Sequence, residues 1–507
     1  MNILNKSFGL ALLAGAMCVF GFAPFGISVI PVLALAALFS LWLRADSARA
    51  AAWLGFVFGL GLFGAGIGWI YIAMHEYGGM PLSLALLAVL LFAAFWALLP
   101  ALAGYAQARI SMTNRPVANW LRITLVMPAV WALLEWFRGL LVTGFPWLTL
   151  GYAHSDSPLA GYAPVLGVYG VSFAAAASAG LLLLLWQSRM SKQGKMALIL
   201  LLFIWGLGAL LRTVAWTQPH GEPFSVALVQ GNIPQNLKFN EDALVGTLET
   251  YRRLVEQNPA RLTVLPETAL PLLRHEVPKN YVQRLRDHAR QNGGDMLIGV
   301  FERSNGSYYN SIFTLGMADE QHYRKQHLVP FGEFIPLRPM LGWFINNVLD
   351  IPMGDLARGD AVQAPLNVAG QQVAANICYE DVFGEEIIRS LPQATLLVNV
   401  TNDAWYGDSP VAAQHNQIAQ FRALETGRMM LRATNTGVTS IIGANGKVLQ
   451  QLPQHEEAVL LGMAQGYQGI TPYVRWGNAA ILLLLIALLA YAWTRRNSPP
   501  LPQAGEG

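Results

Sequence analysis

The chain has 507 residues, of which 54% are hydrophobic and only 12% charged, about half the charged share of an ordinary soluble domain, which is about 25%. With a positive mean hydropathy, that composition excludes a simple soluble globule and points to a bilayer. A net charge of +3, with no basic stretch interleaved with aromatics, excludes nucleic acid as a partner. Two cysteines, Cys18 and Cys378, build neither a disulfide scaffold nor a thiolate zinc site. The nine histidines show no His-Glu-x-x-His spacing, so neither a metal nor another cofactor is expected.

Eight apolar runs follow one another, at 8–22, 27–44, 51–74, 82–107, 118–138, 160–187, 196–216 and 477–494. Most approach or exceed the roughly 20 residues that span hydrocarbon. The first lacks an Ala-x-Ala cleavage site and is followed at once by more spans, so it reads as a retained span rather than a signal peptide. Lys6, Arg44, Arg49, Arg109, Arg115, Arg189, Lys192, Lys195, Arg495 and Arg496 gather at one set of span ends. The alternate short loops, 23–26, 75–81 and 139–159, carry no Lys or Arg. The positive-inside rule then places both termini in the cytoplasm and the long segment between the seventh and eighth runs outside it. The expected organisation is a membrane bundle over 1–217, an extracytoplasmic domain over 218–467, an eighth span over 468–496 and a disordered cytoplasmic tail over 497–507.

The segment 218–467 reads as α/β. Strand-like runs occur at 225–230, 262–265, 295–300, 311–315, 372–377, 394–400 and 437–442, short and bounded by Gly, Pro or Asn. Helical patterns at 244–256, 279–291 and 412–428 lie between them, so layered α/β packing is expected.

Three residues in this segment carry the chemistry of acyl transfer. Glu267 follows Thr-Val-Leu-Pro just past an apolar run, Lys325 lies in Tyr-Arg-Lys-Gln-His, and Cys378 follows the run ending at Ile377. A thiol attacks as its thiolate; a carboxylate can take its proton, and an ammonium can stabilise the oxyanion that forms. Each residue also has an ordinary alternative: a buried small hydrophobe for the cysteine, a solvated or capping carboxylate, a surface lysine. Glu135 and Arg138, at i and i+3 near the outer end of the fifth run, face one side of a helix. They fit a structural ion pair or a headgroup contact at the mouth of a site. The stretch 337–349 packs Met340, Leu341, Trp343, Phe344 and Ile345 together, as core or as a membrane-dipping arm.

These motifs together decide between the readings. Val226-Ala-Leu-Val-Gln-Gly-Asn-Ile-Pro-Gln235, Leu265-Pro-Glu-Thr268, His327-Leu-Val-Pro-Phe-Gly-Glu333, Ile377-Cys-Tyr-Glu380, Asn399-Val-Thr-Asn-Asp-Ala-Trp-Tyr-Gly407 and Arg432-Ala-Thr-Asn-Thr-Gly437 resemble the nitrilase (carbon–nitrogen hydrolase) superfamily. With Gly144-Phe-Pro-Trp147 and Pro158-Leu-Ala-Gly161 in the membrane part, residues 8–494 resemble the apolipoprotein N-acyltransferase family. The resemblance implies a multi-span α-helical membrane bundle of about eight spans carrying a nitrilase-like αββα sandwich. It implies a catalytic triad of Glu267, Lys325 and Cys378, supported by Glu333, Tyr379 and Glu380. Phe239 stands where the family often has tryptophan, which removes an indole N–H and keeps the apolar contact. Trp343 and Arg138 are further candidates for substrate contact.

The implied reaction moves an acyl chain from a phospholipid to Cys378, and from the thioester to the N-terminal amine of a diacylglyceryl-cysteine on an apolipoprotein. It is the last step of lipoprotein maturation, carried out by a monomer in the bacterial inner membrane with its catalytic domain on the periplasmic side. A membrane-tethered amidase acting on other amides shares the triad without needing a lipid. A transporter or sensor with a merely binding outer domain is disfavoured by the scarcity of intramembrane charge.

Overall fold

The computed structural model describes residues 2–112, 117–189, 191–335 and 355–496. All eight apolar runs are helical. They centre on Asn2–Met17, Val29–Leu43, Ala48–Gly66, Leu82–Ser111, Met127–Arg138, Ala163–Ser188, Lys192–Leu211 and Ala479–Arg496. Five of these segments are long and apolar enough to cross a membrane, and the first, second and last are shorter. In the apolar window of Pro158–Ser188, 83% of residues are buried, against 17% in that of Lys192–Leu211. The former is the bundle's centre and the latter its rim, showing Ile199, Leu202 and Phe203 to the outside.

Between lipid-exposed helices no hydrophobic effect draws partners together, so close backbone approach does the packing. A Cβ built on Gly61 would lie 2.1 Å from the carbonyl oxygen of Leu12, whereas one on Gly64, a turn further along the same helix, would meet nothing within 4 Å.

The segment after Arg138, which the charge pattern reads as a simple outer loop, folds back into the protein, and Gly144–Ser155 are buried. Non-helical backbone survives there only if its polar groups are satisfied internally. Arg138 donates to the carbonyls of Phe145, at 2.7 Å, and Trp147, and to Thr149 Oγ1 at 3.1 Å. Glu135 accepts from the Leu150 N–H at 2.9 Å and sits 4.0 Å from Arg138.

The polar segment is a two-sheet sandwich. Its strands are β1 (Thr217–Gln230), β2 (Leu262–Val264), β3 (Leu270–Leu273), β4 (Asp295–Ser304), β5 (Ser307–Gly316), β6 (His322–Arg324), β7 (Leu366–Val368), β8 (Gln371–Ile377), β9 (Leu396–Thr401), β10 (Met430–Thr434), β11 (Ser440–Ile442), β12 (Val448–Gln451) and β13 (Ala458–Gly469). One sheet runs β13-β1-β2-β4-β5-β6, with β3 paired to β4; the other runs β12-β11-β10-β9-β8-β7. Val226, Leu228 and Val264 of the first sheet meet Val373, Val398 and Leu431 of the second in the inner core. The helices Glu241–Gln257 and Lys279–Gln291 cover the first sheet through Tyr251, Leu254 and Leu285.

The strand pattern left out β13, whose exposed positions give it a mixed, partly polar sequence. It pairs antiparallel with β1, placing Thr217 opposite Gly469. The chain therefore enters and leaves the domain at one point, directly beside the bundle.

The helix Val411–Thr426 joins the two parts. Every residue of it except Ala413 is buried. Ala419 and Ala423 pack on Leu397 and Met430 of the second sheet. Val411, Ile418, Phe421 and Leu424 belong to the same apolar cluster as the membrane helices. The stretch 337–349, including Trp343, lies outside the described residues.

Gly61→Leu is expected to abolish recovery of folded protein, because the helices Asn2–Met17 and Ala48–Gly66 can no longer touch. Gly64→Leu is expected to be recovered like the parent, as judged by size-exclusion profile in detergent.

Candidate active site

Glu267 lies in the short connection between β2 and β3, which both pair with β4. A Cβ on Gly299 of β4 would sit 2.3 Å from the Pro266 carbonyl oxygen and 2.9 Å from the Cα of Glu267, so only glycine lets the connection lie this low. The Glu267 carboxylate accepts from the Asn402 N–H at 2.9 Å and from Asn310 Nδ2 at 2.7 Å. Lys325, directly after β6, places its ammonium 3.3 Å from Glu267 and 2.8 Å from Glu333. Glu333 in turn accepts from the Val329 N–H at 2.8 Å. Lys325 is 1% exposed. Burial alone would discharge it, but Glu333 and then Glu267 hold its pKa well above the usual lysine value.

Cys378 follows β8 and has φ of +53°, a left-handed conformation that costs an L-residue about 1–3 kcal/mol and is tolerated where function demands it. It is the residue at which strand β8 passes into the short 3₁₀ turn Cys378–Val382. Burial, and then the charge of Glu267, push its thiol above the ordinary range, and Lys325 opposes them. The balance favours the neutral thiol over the thiolate.

Glu380 fixes the turn against the lysine loop. Its carboxylate accepts from the N–H groups of Ile377 at 2.6 Å, Gln326 at 2.7 Å and His327 at 3.1 Å, and from the Tyr323 hydroxyl at 3.0 Å. Burial brings its pKa up to about 7 against the pull of these N–H donors. The position of Lys325 relative to Cys378 thus runs through one carboxylate. Tyr379 points the other way, toward the bundle: its hydroxyl donates to the Gly144 carbonyl at 3.1 Å, and its ring lies parallel to that of Trp147. Phe239 is 42% exposed, with its ring 6.4 Å from that of Phe301. Arg138 faces the carbonyls of its own buried loop.

Glu267, Lys325 and Glu333 stand in contact, and Glu380 ties the Cys378 turn to the lysine loop; the group behind them was not among the expected residues. Arg432 of β10 pairs with Asp381 at 3.0 Å and Asp403 at 3.1 Å; His415 bonds the same two carboxylates at 2.8 and 3.0 Å. These four side chains close a ring. His415 Nε2 also lies 3.3 Å from the Cys378 carbonyl oxygen, which Asn399 Nδ2 reaches at 3.1 Å. The signal was present, since Asn399, Asp403 and Arg432 fall inside motifs that the resemblance rests on, but nothing local shows that residues 381, 403, 415 and 432 converge.

Burial and Arg432 oppose a proton on His415, and Asp381 and Asp403 overcome them, bringing its pKa up to about 8. A histidine titrates near 6.5 in the unfolded chain. The folded value is the higher one, so this stabilisation is complete below about pH 6.5 and is lost as pH rises through 8; it amounts to about 2 kcal/mol. The melting temperature of the purified protein is expected to fall between pH 6.5 and 9, and His415→Gln to flatten that slope. Arg432→Met leaves two buried carboxylates facing one histidine and is expected to cost about 3–5 kcal/mol.

Two family models match the chain: the apolipoprotein N-acyltransferase N-terminal domain over residues 14–181 and carbon-nitrogen hydrolase over residues 225–465. An apolipoprotein N-acyltransferase of Nitrosomonas europaea is 51% identical over 478 residues, 94% of either chain. One of Ralstonia nicotianae is 46% identical over 495 residues, 96% of this chain and 93% of its own. Among solved structures, a carbon–nitrogen hydrolase superfamily protein of Xanthomonas campestris aligns over 55% of this chain and 100% of its own, at 18% identity and a TM-score of 0.35. With near-complete coverage at such identity, the chain belongs to the apolipoprotein N-acyltransferase family.

Proposed function

We propose that this acyltransferase moves an acyl chain from a phospholipid to the N-terminal amine of a diacylglyceryl-cysteine on an apolipoprotein, through a thioester on Cys378. The observation that carries the reading is the placement of the nucleophile's neighbour. Tyr379 bonds a carbonyl of the membrane part's buried loop, so the thiol stands at the seam between sandwich and bundle, where both bilayer-bound substrates can arrive.

In the first half-reaction Glu267 takes the thiol proton as Cys378 Sγ attacks the ester carbonyl. The Lys325 ammonium stabilises the oxyanion. Collapse expels the lysophospholipid alkoxide, which takes the proton from Glu267. In the second, the acceptor amine attacks the thioester, Glu267 takes the amine proton, and the thiolate leaves and is reprotonated. Splitting the transfer in two avoids bringing two lipids to one carbonyl at once.

Glu333 serves by holding Lys325, and Glu380 by holding the nucleophile turn to the lysine loop. Arg138 serves the site by bracing the 139–159 segment on which Tyr379 rests. Phe239 and Trp343 are proposed as apolar substrate contacts. The enzyme works as a monomer in the inner membrane, with the sandwich in the periplasm and both termini in the cytoplasm. The distribution of Lys and Arg supports that orientation, and the adjacent entry and exit of the chain at Thr217 and Gly469 suits a domain inserted on one side.

Intact-mass analysis of the protein incubated with phospholipid tests the mechanism. An acyl adduct is expected in the parent and in Cys18→Ala, and none in Cys378→Ala; an adduct persisting in Cys378→Ala would refute Cys378 as the acyl carrier. Lys325→Ala is expected to slow adduct formation about 10²–10³-fold.

Alkaline phosphatase fused after Trp216 is expected to be active and fused after Arg495 inactive. The reverse pattern would put the sandwich in the cytoplasm and remove its access to exported lipoproteins.

A further inference from the structure

The mechanism above leaves one buried cation at the site unused. The short helix Gln235–Lys238 presents Asn236 and Leu237 to solvent and buries Gln235 and Lys238, three residues apart and so on one face. Both reach the catalytic base. Gln235 Oε1 accepts from Asn402 Nδ2 at 2.8 Å, and the Asn402 N–H donates to the Glu267 carboxylate. Lys238 Nζ donates to the Glu267 main-chain carbonyl at 3.0 Å. Lys238 is only 2% exposed, and no carboxylate lies within ion-pair distance of it among the described residues. A buried lysine without an ion-pair partner is costly to keep, so its presence beside a catalytic carboxylate calls for a function.

Charge counting supplies one. Glu267 and Glu333 carry two negative charges, and Lys325 alone supplies one positive charge in contact with them. With Lys238 charged, the four groups sum to zero before the thiol ionises. The sum stays at zero after its proton has passed to Glu267, because the negative charge moves from Glu267 to the Cys378 sulfur. Without Lys238 the site holds an excess negative charge throughout, and a new thiolate is formed against it. The neighbouring ring of Asp381, Asp403, His415 and Arg432 is balanced within itself while His415 is protonated, so it has no spare positive charge to lend.

We propose that Lys238 is a second functional cation of the active site, a positioning residue that pins the backbone of Glu267 and balances the negative charge passed between Glu267 and Cys378. This rests on Cys378 being the nucleophile. Lys238 feels both groups: burial lowers its pKa to about 8, and the charges of Glu267 and Cys378 act to raise it. The groups that face it are then Glu267 and Cys378, with Lys325 and Glu333 beyond Glu267. The balancing charge is present below pH 8 and disappears above it.

The test uses the full-length protein in detergent with Cys18→Ser, so that Cys378 is the single thiol, and follows its alkylation by iodoacetamide and its acylation by phospholipid across pH 6–10. Removing one nearby cation shifts a thiol by about one unit or more. Lys238→Met is therefore expected to slow alkylation and acylation at pH 7 about tenfold or more. Lys238→Arg, which holds its charge at all these pH values, is expected to restore much of the acylation rate at pH 7 and to lessen the decline above pH 8, the remainder following His415, which loses its proton in the same range. Melting temperatures read in parallel separate this from unfolding. Lys238→Met with parental thiol reactivity and acylation would overturn the proposal, as would loss in both variants that merely tracks a lowered melting temperature. A parent protein with no acylated Cys378 would instead remove the mechanism on which the proposal stands.

Discussion

Arg432 has no solvent exposure, and a guanidinium buried without counter-charge is costly, so its charge must be matched inside the protein. Asp381 and Asp403 match it, His415 closes the other side, and each of the four comes from a different part of the chain. Asp381 lies in the turn that begins with Cys378, Asp403 in the 3₁₀ turn after β9. His415 lies on the helix that docks the bundle, and Arg432 on β10. Breaking this ring would leave uncompensated charge in the interior, so its members hold one another in one arrangement. The strained backbone of Cys378 persists because the turn that follows it is anchored in this way.

In front of the ring the same physics is used for chemistry. Glu267, Lys325 and Glu333 form a dry cluster in which electrostatic interactions are stronger than in water. The lysine stays charged because two carboxylates face it. The thiol stays neutral, so it is not a free thiolate that would react with whatever enters. Glu267, Lys325 and Cys378 are thus electrostatically coupled in one buried cluster.

The membrane part is more than an anchor. Trp147 of the buried loop donates to Gln414 at 2.7 Å and lies against both Tyr379 and His415. Further along the docking helix, Glu425 accepts from the Val168 N–H at 2.8 Å, and Gln417 accepts from the Ala23 N–H at 3.0 Å. Trp69, at the end of a membrane helix, packs edge-on to both Trp147 and Tyr406. A cavity of about 200 Å³ lies along this seam, walled by Trp136 and Leu140 of the bundle and by Phe383 and Glu385 of the sandwich. Bundle and sandwich thus share a polar and aromatic interface that includes Tyr379, the neighbour of Cys378.

Much of this was legible in the sequence because it depends on short-range pattern. Apolar run length marked all eight helices, since hydrocarbon thickness sets a minimum length. Alternating apolar runs and turn residues marked seven strands, and the helix at 279–291 was placed to the residue because its amphipathic period is unbroken. The placement of Glu267 and Cys378 just after strands was visible too, because apolar runs end where the chain must turn; the strand before Lys325 is the polar His322–Arg324, which no apolar run marks. Tertiary structure alone decided the rest. The strand β13 exists because β1 offers it a partner, not because its own residues alternate. The segment 139–159 carries no charge pattern that reveals its burial; Arg138 buries it by binding carbonyls that any sequence would possess. The ring of 381, 403, 415 and 432, and the approach of Lys238 to Glu267, join residues tens of positions apart. Their partners are chosen by the pairing of β8, β9 and β10 and by the docking of Val411–Thr426, and side-chain spacing along one chain holds no record of distances set by folding.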